Sequence, residues 1–366
     1  MDPHTITTIY SDGKYLGWPT MTRSPQTGRI FVVFSGGRRG HICPFGKVMM
    51  ISSDDDGRTW SGARILYDGP LDDRDAGVLV TSKGTVLVSW FNSIIYRYFL
   101  EKDDWSAQNL TPAERLEWQG ISNNISDECL SQELGNWMIR SEDGGKSFSA
   151  KIPTIANSSH GPAELADGRL LYVGKFRSEI KRYSGLRMGS PHGDRNGVAE
   201  SVDDGRSWKT LCGELPVAEG DLAADYYEYN AVQASDGKIV AHIRNRRLNS
   251  RRQAEILQME SPDEGRSWTT PHSTGTYGGP VHLMKLGDGS LLMSYSHRYE
   301  PMGNYAKVSK DCGLTWSAPF VFGPTRQADM GYPSSAELPD GTMLSVWYEH
   351  IPGKHEAVLR MARWKF

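Results

Sequence analysis

One octapeptide pattern, Ser-x-Asp-x-Gly-x-Ser/Thr-Trp/Phe, occurs five times in the 366 residues and constrains the fold more than any other feature. The copies are Ser53–Trp60, Ser141–Phe148, Ser201–Trp208, Ser261–Trp268 and Ser309–Trp316, with starts 88, 60, 60 and 48 residues apart. Each has the chemistry of a tight turn. The Ser and Asp side chains accept from turn N–H groups, Gly supplies φ > 0, and the aromatic is expected beneath the neighbouring strands. Asp54, Asp55 and Asp56 lack the twelve-residue frame ending in Glu that an EF-hand needs, so the repeats read as structural turns and not calcium sites.

A second repeat interleaves with the first: an apolar strand, a turn carrying Gly, then another apolar strand. The second members are RIFVVFSG after Gly28, TVLVSWF after Gly84, RLLYVGKF after Gly168, KIVAHIRN after Gly237, SLLMSYSHR after Gly289 and TMLSVWYEH after Gly341. Helical periodicity is scarce, and 39 Gly and 19 Pro suit many short strands. Six units of four strands predict an all-β, six-bladed β-propeller, a single domain over residues 1–366. Its last blade is expected to close by pairing a strand around His4 to Tyr10 beside Glu356 to Phe366, which removes the free edges.

Net charge is −3, so no global field draws nucleic acid or an anionic membrane, and no apolar run approaches the ~18–20 residues of a membrane span. The start Met1-Asp2-Pro3-His4 carries neither a basic region nor an apolar stretch. The expectation is therefore no signal peptide, with a cytoplasmic protein or a trimmed secreted one both open. Cys43, Cys129, Cys212 and Cys312 show no CxxC or Cys/His ligand spacing and read as packing residues. No metal or organic cofactor has a motif, and none is expected.

The octapeptides are similar to the Asp boxes of the sialidase (neuraminidase) superfamily, and the resemblance spans nearly the whole chain. It implies a propeller of the sialidase type, with the boxes on one face and the chemistry on the other. Glu228, nine residues before Gly237, resembles the Glu that opens a sialidase strand; Arg244, seven past that Gly and followed by Asn245, resembles a carboxylate-binding arginine. Tyr332, nine before Gly341, matches the place of the sialidase nucleophile, and Val346-Trp347-Tyr348-Glu349 resembles the strand that ends Leu-Tyr-Glu. Arg298 is the nearest match to the third arginine. These residue types belong together chemically. A sugar with a carboxylate at its anomeric carbon would repel a carboxylate nucleophile, whereas a neutral Tyr avoids that repulsion. The Tyr then needs a base, which Glu228 supplies, and arginines bind the substrate carboxylate bidentately.

Two departures stand out. The family opens its first blade with Phe/Tyr-Arg-Ile-Pro, but here Leu16-Gly17-Trp18-Pro19 puts Gly17 in the arginine's place. The family's acid/base Asp belongs in the next loop, and Gly36–Pro44 has no carboxylate. His41 on that loop is a substitute acid, and Arg38 or Arg39 a substitute cation. Asp72-Asp73-Arg74-Asp75 at the start of blade two brings Arg74 and Asp75 to the same face, either as site groups or as a solvated turn with an internal ion pair. Blade three adds His160, Lys175 and Arg177. Residues 93–134 form an insertion in blade two, where Thr111-Pro112-Ala113-Glu114 reads as a capping box opening a short helix, roughly 112–118, over the rim of the active face.

The resemblance therefore implies an exo-glycosidase acting with retention on a terminal acidic sugar: sialic acid, another ulosonic acid or a uronic acid. Its partner is a glycan and not nucleic acid or a membrane; the oligomeric state is left open. Catalytic candidates are Tyr332, Glu228, His41 and Asp75; substrate-binding candidates are Arg244, Arg298, Arg74, Arg39, Arg38 and His160. The same residues leave open a polysaccharide lyase that abstracts the C5 proton of a uronate, a hydrolase for another sugar, and a non-catalytic glycan-binding propeller.

Overall fold

The computed structural model describes residues 5–102, 110–176, 195–245 and 254–366. They form an all-β, propeller-like arrangement of antiparallel sheets. Strand three of each repeat leads through the octapeptide into strand four, as in Lys47–Ser53 to Arg64–Tyr67. Within the turn, Ser53 Oγ accepts from Gly57 N at 2.9 Å, and Asp55 Oδ1 accepts from Thr59 N at 2.9 Å. The Ser309 copy repeats both bonds, with Ser309 Oγ accepting from Gly313 N at 2.7 Å and Asp311 Oδ1 from Thr315 N at 2.9 Å. The expectation about the aromatics also holds: Trp60, Phe148, Trp208, Trp268 and Trp316 are each partly buried against an apolar cluster.

The expected closure is present, with Thr5–Tyr10 antiparallel to Ala357–Trp364; His4 lies outside the described residues. The count of six separate blades is corrected. Four sheets stand apart as blades, and the other eight strands form one sheet, in the order Met330–Glu337, Met343–His350, Ala357–Trp364, Tyr15–Arg23, Ile30–Arg38, Lys47–Ser53 and Arg64–Tyr67, with Thr5–Tyr10 on Ala357–Trp364. The cause is local: one parallel bridge, Tyr15 to Ala357, carries the ladder across from the C-terminal strand to the first inner strand.

Apolar packing runs from each strand group to the next. Phe31 and Val33 meet Val78 and Val88, while Leu87 meets Leu170. Leu171 then meets Ile239, and Val240 meets Val281 and Met293. Leu292 meets Trp347, and Leu344 with Val346 closes back on Ile30 and Phe34.

The insertion is larger than a single short helix. It holds α1 (Ile95–Lys102), α2 (Pro112–Asn124) and α3 (Asp127–Glu133). The capping box forms as expected: Thr111 Oγ1 accepts from Glu114 N, and Glu114 reaches back to Thr111 N at 2.8 Å. The helix runs past 118 because Trp118 is buried against Cys43, Leu71, Ile94 and Tyr96. That packing seats the insertion on the loop carrying His41. Cys43 is buried and free, and Cys129, Cys212 and Cys312 are free and partly buried.

Candidate active site

The site is built on an unusual backbone. Among the described residues ten non-glycines have positive φ: four sit in the octapeptide turns, one is Ala254, and the other five are Trp18 (54°), Asp75 (50°), His160 (73°), Glu228 (50°) and Tyr332 (55°). For bulky side chains this region is rarely populated and costs about 1–3 kcal/mol each. Four of the five coincide with a register shift in an inner strand: between Gly17 and Thr20, Arg74 and Gly77, Tyr227 and Asn230, and Gly331 and Ser334. His160 precedes Gly161 in the break between Ala156–Asn157 and Ala163–Glu164. A bulge re-aims a side chain out of the pleat, and here the five converge. Trp18 and His160 each hold their ring 6.3 Å from that of Tyr332.

Tyr332 donates its hydroxyl proton to Glu228 Oε1. The other carboxylate oxygen, Oε2, accepts from Arg244 Nη1 at 2.5 Å. Burial pushes the Tyr332 phenol well above its ordinary range, and the charges of Glu228 and Asp75 push it further while Arg244 opposes them. Tyr332 therefore loses its proton only to a partner at hydrogen-bond distance. Arg298 stands against the backbone just before the tyrosine. A Cβ on Gly331 would lie 3.0 Å from its Nη2, and its Nε donates to Met330 O at 2.9 Å.

A second cluster stands on the blade-one side. Tyr15 Oη lies 2.8 Å from His41 Nδ1 and 3.0 Å from both oxygens of Asp329, and Tyr348 Oη donates to Asp329 Oδ1 at 2.9 Å. The direct His41 Nδ1 to Asp329 Oδ1 separation is 3.7 Å, so the phenol of Tyr15 joins the two. Burial lowers the His41 pKa, with Arg74 and Arg298 acting the same way and Asp329 opposing. Asp329 is held down at about 2; burial alone would raise it, but the nearby His41 and the hydrogen bonds from Tyr348 and Tyr15 prevail. The indole of Trp18 sits beside this group, with the His41 ring edge-on at 5.1 Å, Arg74 over it at 4.0 Å and Arg38 at 4.6 Å.

Asp75 is buried, and its Oδ1 has no hydrogen-bond partner among the described residues. Burial raises its pKa to about 7, with Glu228 adding to the shift and Arg74 opposing it. His160 accepts or donates at Nδ1 to Thr20 Oγ1 at 3.1 Å, its buried Nε2 is unpaired among the described residues, and the His282 ring lies edge-on at 5.1 Å. Burial holds His160 well below its ordinary pKa and His282 at about 4, so both rings are neutral near pH 7. Among the described residues no group of three or more His, Cys, Asp or Glu could hold a metal ion.

The structure thus brings together Tyr332, Glu228, Arg244, Arg298, His41, Asp75, Arg74 and His160. Two candidates are corrected. Arg38 is fully buried in a two-pronged ion pair with Asp72 at 2.5 and 3.1 Å and also donates to the carbonyls of Gly40 and His41, so it fixes the loop and is not open to a ligand. Arg39 turns to the insertion, paired with Glu117 at 2.5 and 3.0 Å over the Phe45 ring. The blade-two charges are not a solvated turn either, since Asp72 and Asp73 are buried. Lys175 donates to Ala224 O at 3.4 Å, and Arg177 lies outside the described residues. Sequence reasoning missed the roles of Tyr15, Trp18, His282 and Asp329. Only Trp18 left a signal, as the residue before Pro19 in the segment that aligned with the family's opening motif.

Converging inner-strand bulges above octapeptide turns define a sialidase-type, propeller-like fold. Residues 117–344 match the BNR repeat-like domain family, and the chain belongs to it. Solved structures agree on the fold. A protein of unknown function from Dyadobacter fermentans aligns over the full length of both chains with TM-score 0.74 and 21% identity. NanB sialidase from Streptococcus pneumoniae aligns over 100% of this chain and 71% of its own, with TM-score 0.66 and 14% identity. The leech intramolecular trans-sialidase, bound to 2,7-anhydro-Neu5Ac after soaking with 3'-sialyllactose, aligns over 99% and 70%, with TM-score 0.65 and 13% identity. A search of the curated proteins finds no match.

Proposed function

We propose that the chain is a retaining exo-glycosidase that removes a terminal acidic sugar, sialic acid or a related ulosonic or uronic acid, from a glycan. One observation carries the reading: the buried Tyr332 hydroxyl donates to Glu228, which Arg244 pairs in turn. In the first step Tyr332 attacks the anomeric carbon while its proton passes to Glu228. A neutral nucleophile is the type that a sugar bearing an anomeric carboxylate requires. Arg244, paired with Glu228, and Arg298, beside Gly331, are the cations for that carboxylate, with Arg74 over Trp18 a third in place of the arginine that Gly17 lacks. Two titratable groups stand by for the leaving oxygen, His41 and Asp75. We read the eight-stranded sheet as two blades sharing one bridge, so that the ring counts six in a single domain, with the helical insertion shaping entry on the His41 side.

The test is release of methylumbelliferone from its α-sialoside by wild type and Tyr332→Phe. Turnover in wild type that falls by at least ~10²-fold in the variant is expected, the scale on which loss of a catalytic group acts. A wild type inert toward this and toward uronic and other ulosonic glycosides would reject the reading.

A further inference from the structure

Resting on that glycosidase reading, we infer that Tyr15 and Asp329 form a hydrogen-bonded relay that fixes His41 as the acid/base group at the mouth of the site.

The Tyr15 hydroxyl has one proton and lies 2.8 Å from His41 Nδ1 and 3.0 Å from both carboxylate oxygens of Asp329, with the Tyr348 hydroxyl, whose own proton goes to Asp329 Oδ1, also beside it. If the proton faced Nδ1, the phenol oxygen would meet an anionic carboxylate at 3.0 Å with nothing between them. If it faces Asp329, the phenol oxygen accepts from an Nδ1–H, and every contact is satisfied. Tyr15 stays protonated, because burial and the neighbouring Tyr348 and Asp329 raise its pKa. Neutral His41 therefore carries its proton on Nδ1, and Nε2 is the atom left to exchange one. It has no partner among the described residues, and the side chain is 42% exposed.

Exposure separates the two acid candidates. The leaving group departs toward solvent, so the group that protonates it must stand at the opening and exchange protons with water. His41 does; Asp75, 8% exposed, lies in the floor. The backbone is held for the same purpose. Arg38 and Arg74, themselves paired with Asp72, both donate to the His41 carbonyl at 3.0 Å, and the ring edge rests on Trp18, whose indole also meets Tyr332. Arg298 and Asp329 are the other charges facing the imidazole. The donating form is the imidazolium, which adds a proton at Nε2 to the one that Nδ1 shares with Tyr15. As the anomeric C–O bond breaks, the leaving oxygen takes that Nε2 proton and leaves the neutral Nδ1–H ring, Tyr332 Oη bonds the anomeric carbon, and the phenol proton goes to Glu228. In the second step Nε2 takes a proton from water, whose oxygen displaces Tyr332, and Glu228 returns the phenol proton. Tyr15 and Asp329 touch no reacting atom; they are positioning residues.

The test pairs a substrate-free readout with kinetics. In ¹⁵N spectra of the full chain, with the His41 signals assigned through His41→Gln, the neutral ring is expected as the Nδ1–H tautomer, lost in Tyr15→Phe. With wild type, Tyr15→Phe and Asp329→Asn, kcat/KM is followed against pH on 3'-sialyllactose and on the methylumbelliferyl sialoside. Removing the Asp329 charge is expected to move the alkaline limb down by about one pH unit, as loss of an opposite charge at this range does. His41→Gln is expected to cost ~10²–10⁴-fold on sialyllactose and much less on the aryl sialoside, whose good leaving group needs little acid. An Nε2–H tautomer in wild type, or variant profiles that superimpose on it, would overturn the relay. If neither sialoside is cleaved the glycosidase reading fails, while the tautomer spectrum still decides the relay.

Discussion

Two adjacent arginines on one loop offer a direct measure of what burial does to an ion pair. Arg38 and Arg39 each grip a carboxylate with two nitrogens, at 2.5 and 3.1 Å for Asp72 and 2.5 and 3.0 Å for Glu117. They differ in water: the first pair is 0% exposed on both sides, the second 46% and 41%. Asp72→Asn leaves the Arg38 guanidinium buried without its counter-charge, and takes the same charge from Arg74 at 3.2 Å. Removing one partner of a buried pair costs about 3–5 kcal/mol. Unfolding entropy near 2.1 cal/mol/K per residue gives about 0.8 kcal/mol/K for 366 residues, so Tm should drop by about 4–6 °C. Arg39→Ala breaks an exposed pair worth at most ~1 kcal/mol and should shift Tm by about 1 °C or less. Differential scanning calorimetry at pH 7 reads both. Equal shifts in the two variants, or a drop under 1 °C for Asp72→Asn, would refute the claim that this pair is dry and anchors the His41 loop.

Other consequences are open to the same kind of check. Glu228→Gln keeps the shape of the group that accepts from Tyr332 but removes the base, so kcat on the aryl sialoside should fall by ~10²–10⁴-fold with far-ultraviolet circular dichroism unchanged. Asp75 has its folded pKa raised to about 7 against ~3.9 unfolded, so the folded state binds the extra proton between those values and stability falls as pH rises through that window. Asp75→Asn, a residue that tolerates positive φ, should make the slope of stability against pH between 5 and 7 shallower by up to ~1.4 kcal/mol per unit, read by urea melts; an unchanged slope would contradict the burial of this carboxyl. Asp203→Ala strips the acceptor of Ser207 N and Oγ, bonds of 2.9 and 2.5 Å, and should lower Tm by a few degrees while leaving kinetics on a sialoside intact.

Much of this was legible because it rests on local patterns. The octapeptides announce their own turns, and a constant offset to a turn glycine located Glu228 and Tyr332. What stayed hidden depends on distance along the chain or on backbone geometry. Asp329 lies 314 residues from Tyr15, and no spacing rule links it to a blade-one histidine. The positive φ of Trp18 and Asp75 leaves no mark in residue type, since neither is glycine. Arg38 looked like a ligand-binding cation because a list of charges on a loop does not say which of them a buried aspartate from the next blade neutralises. The blade count differed because a single bridge, Tyr15 to Ala357, decides whether two sheets are one.

The five left-handed positions at Trp18, Asp75, His160, Glu228 and Tyr332 amount to a set of interchangeable sockets around one centre. The backbone holds all five in the left-handed region, four of them at a register shift, so which chemical group stands at each position is decided by one codon and not by rebuilding a loop. A base can be traded for a wall, or a wall for an acid, while the scaffold that aims them is untouched. On the glycosidase reading, these five positions are where variants of this chain with altered specificity should be sought.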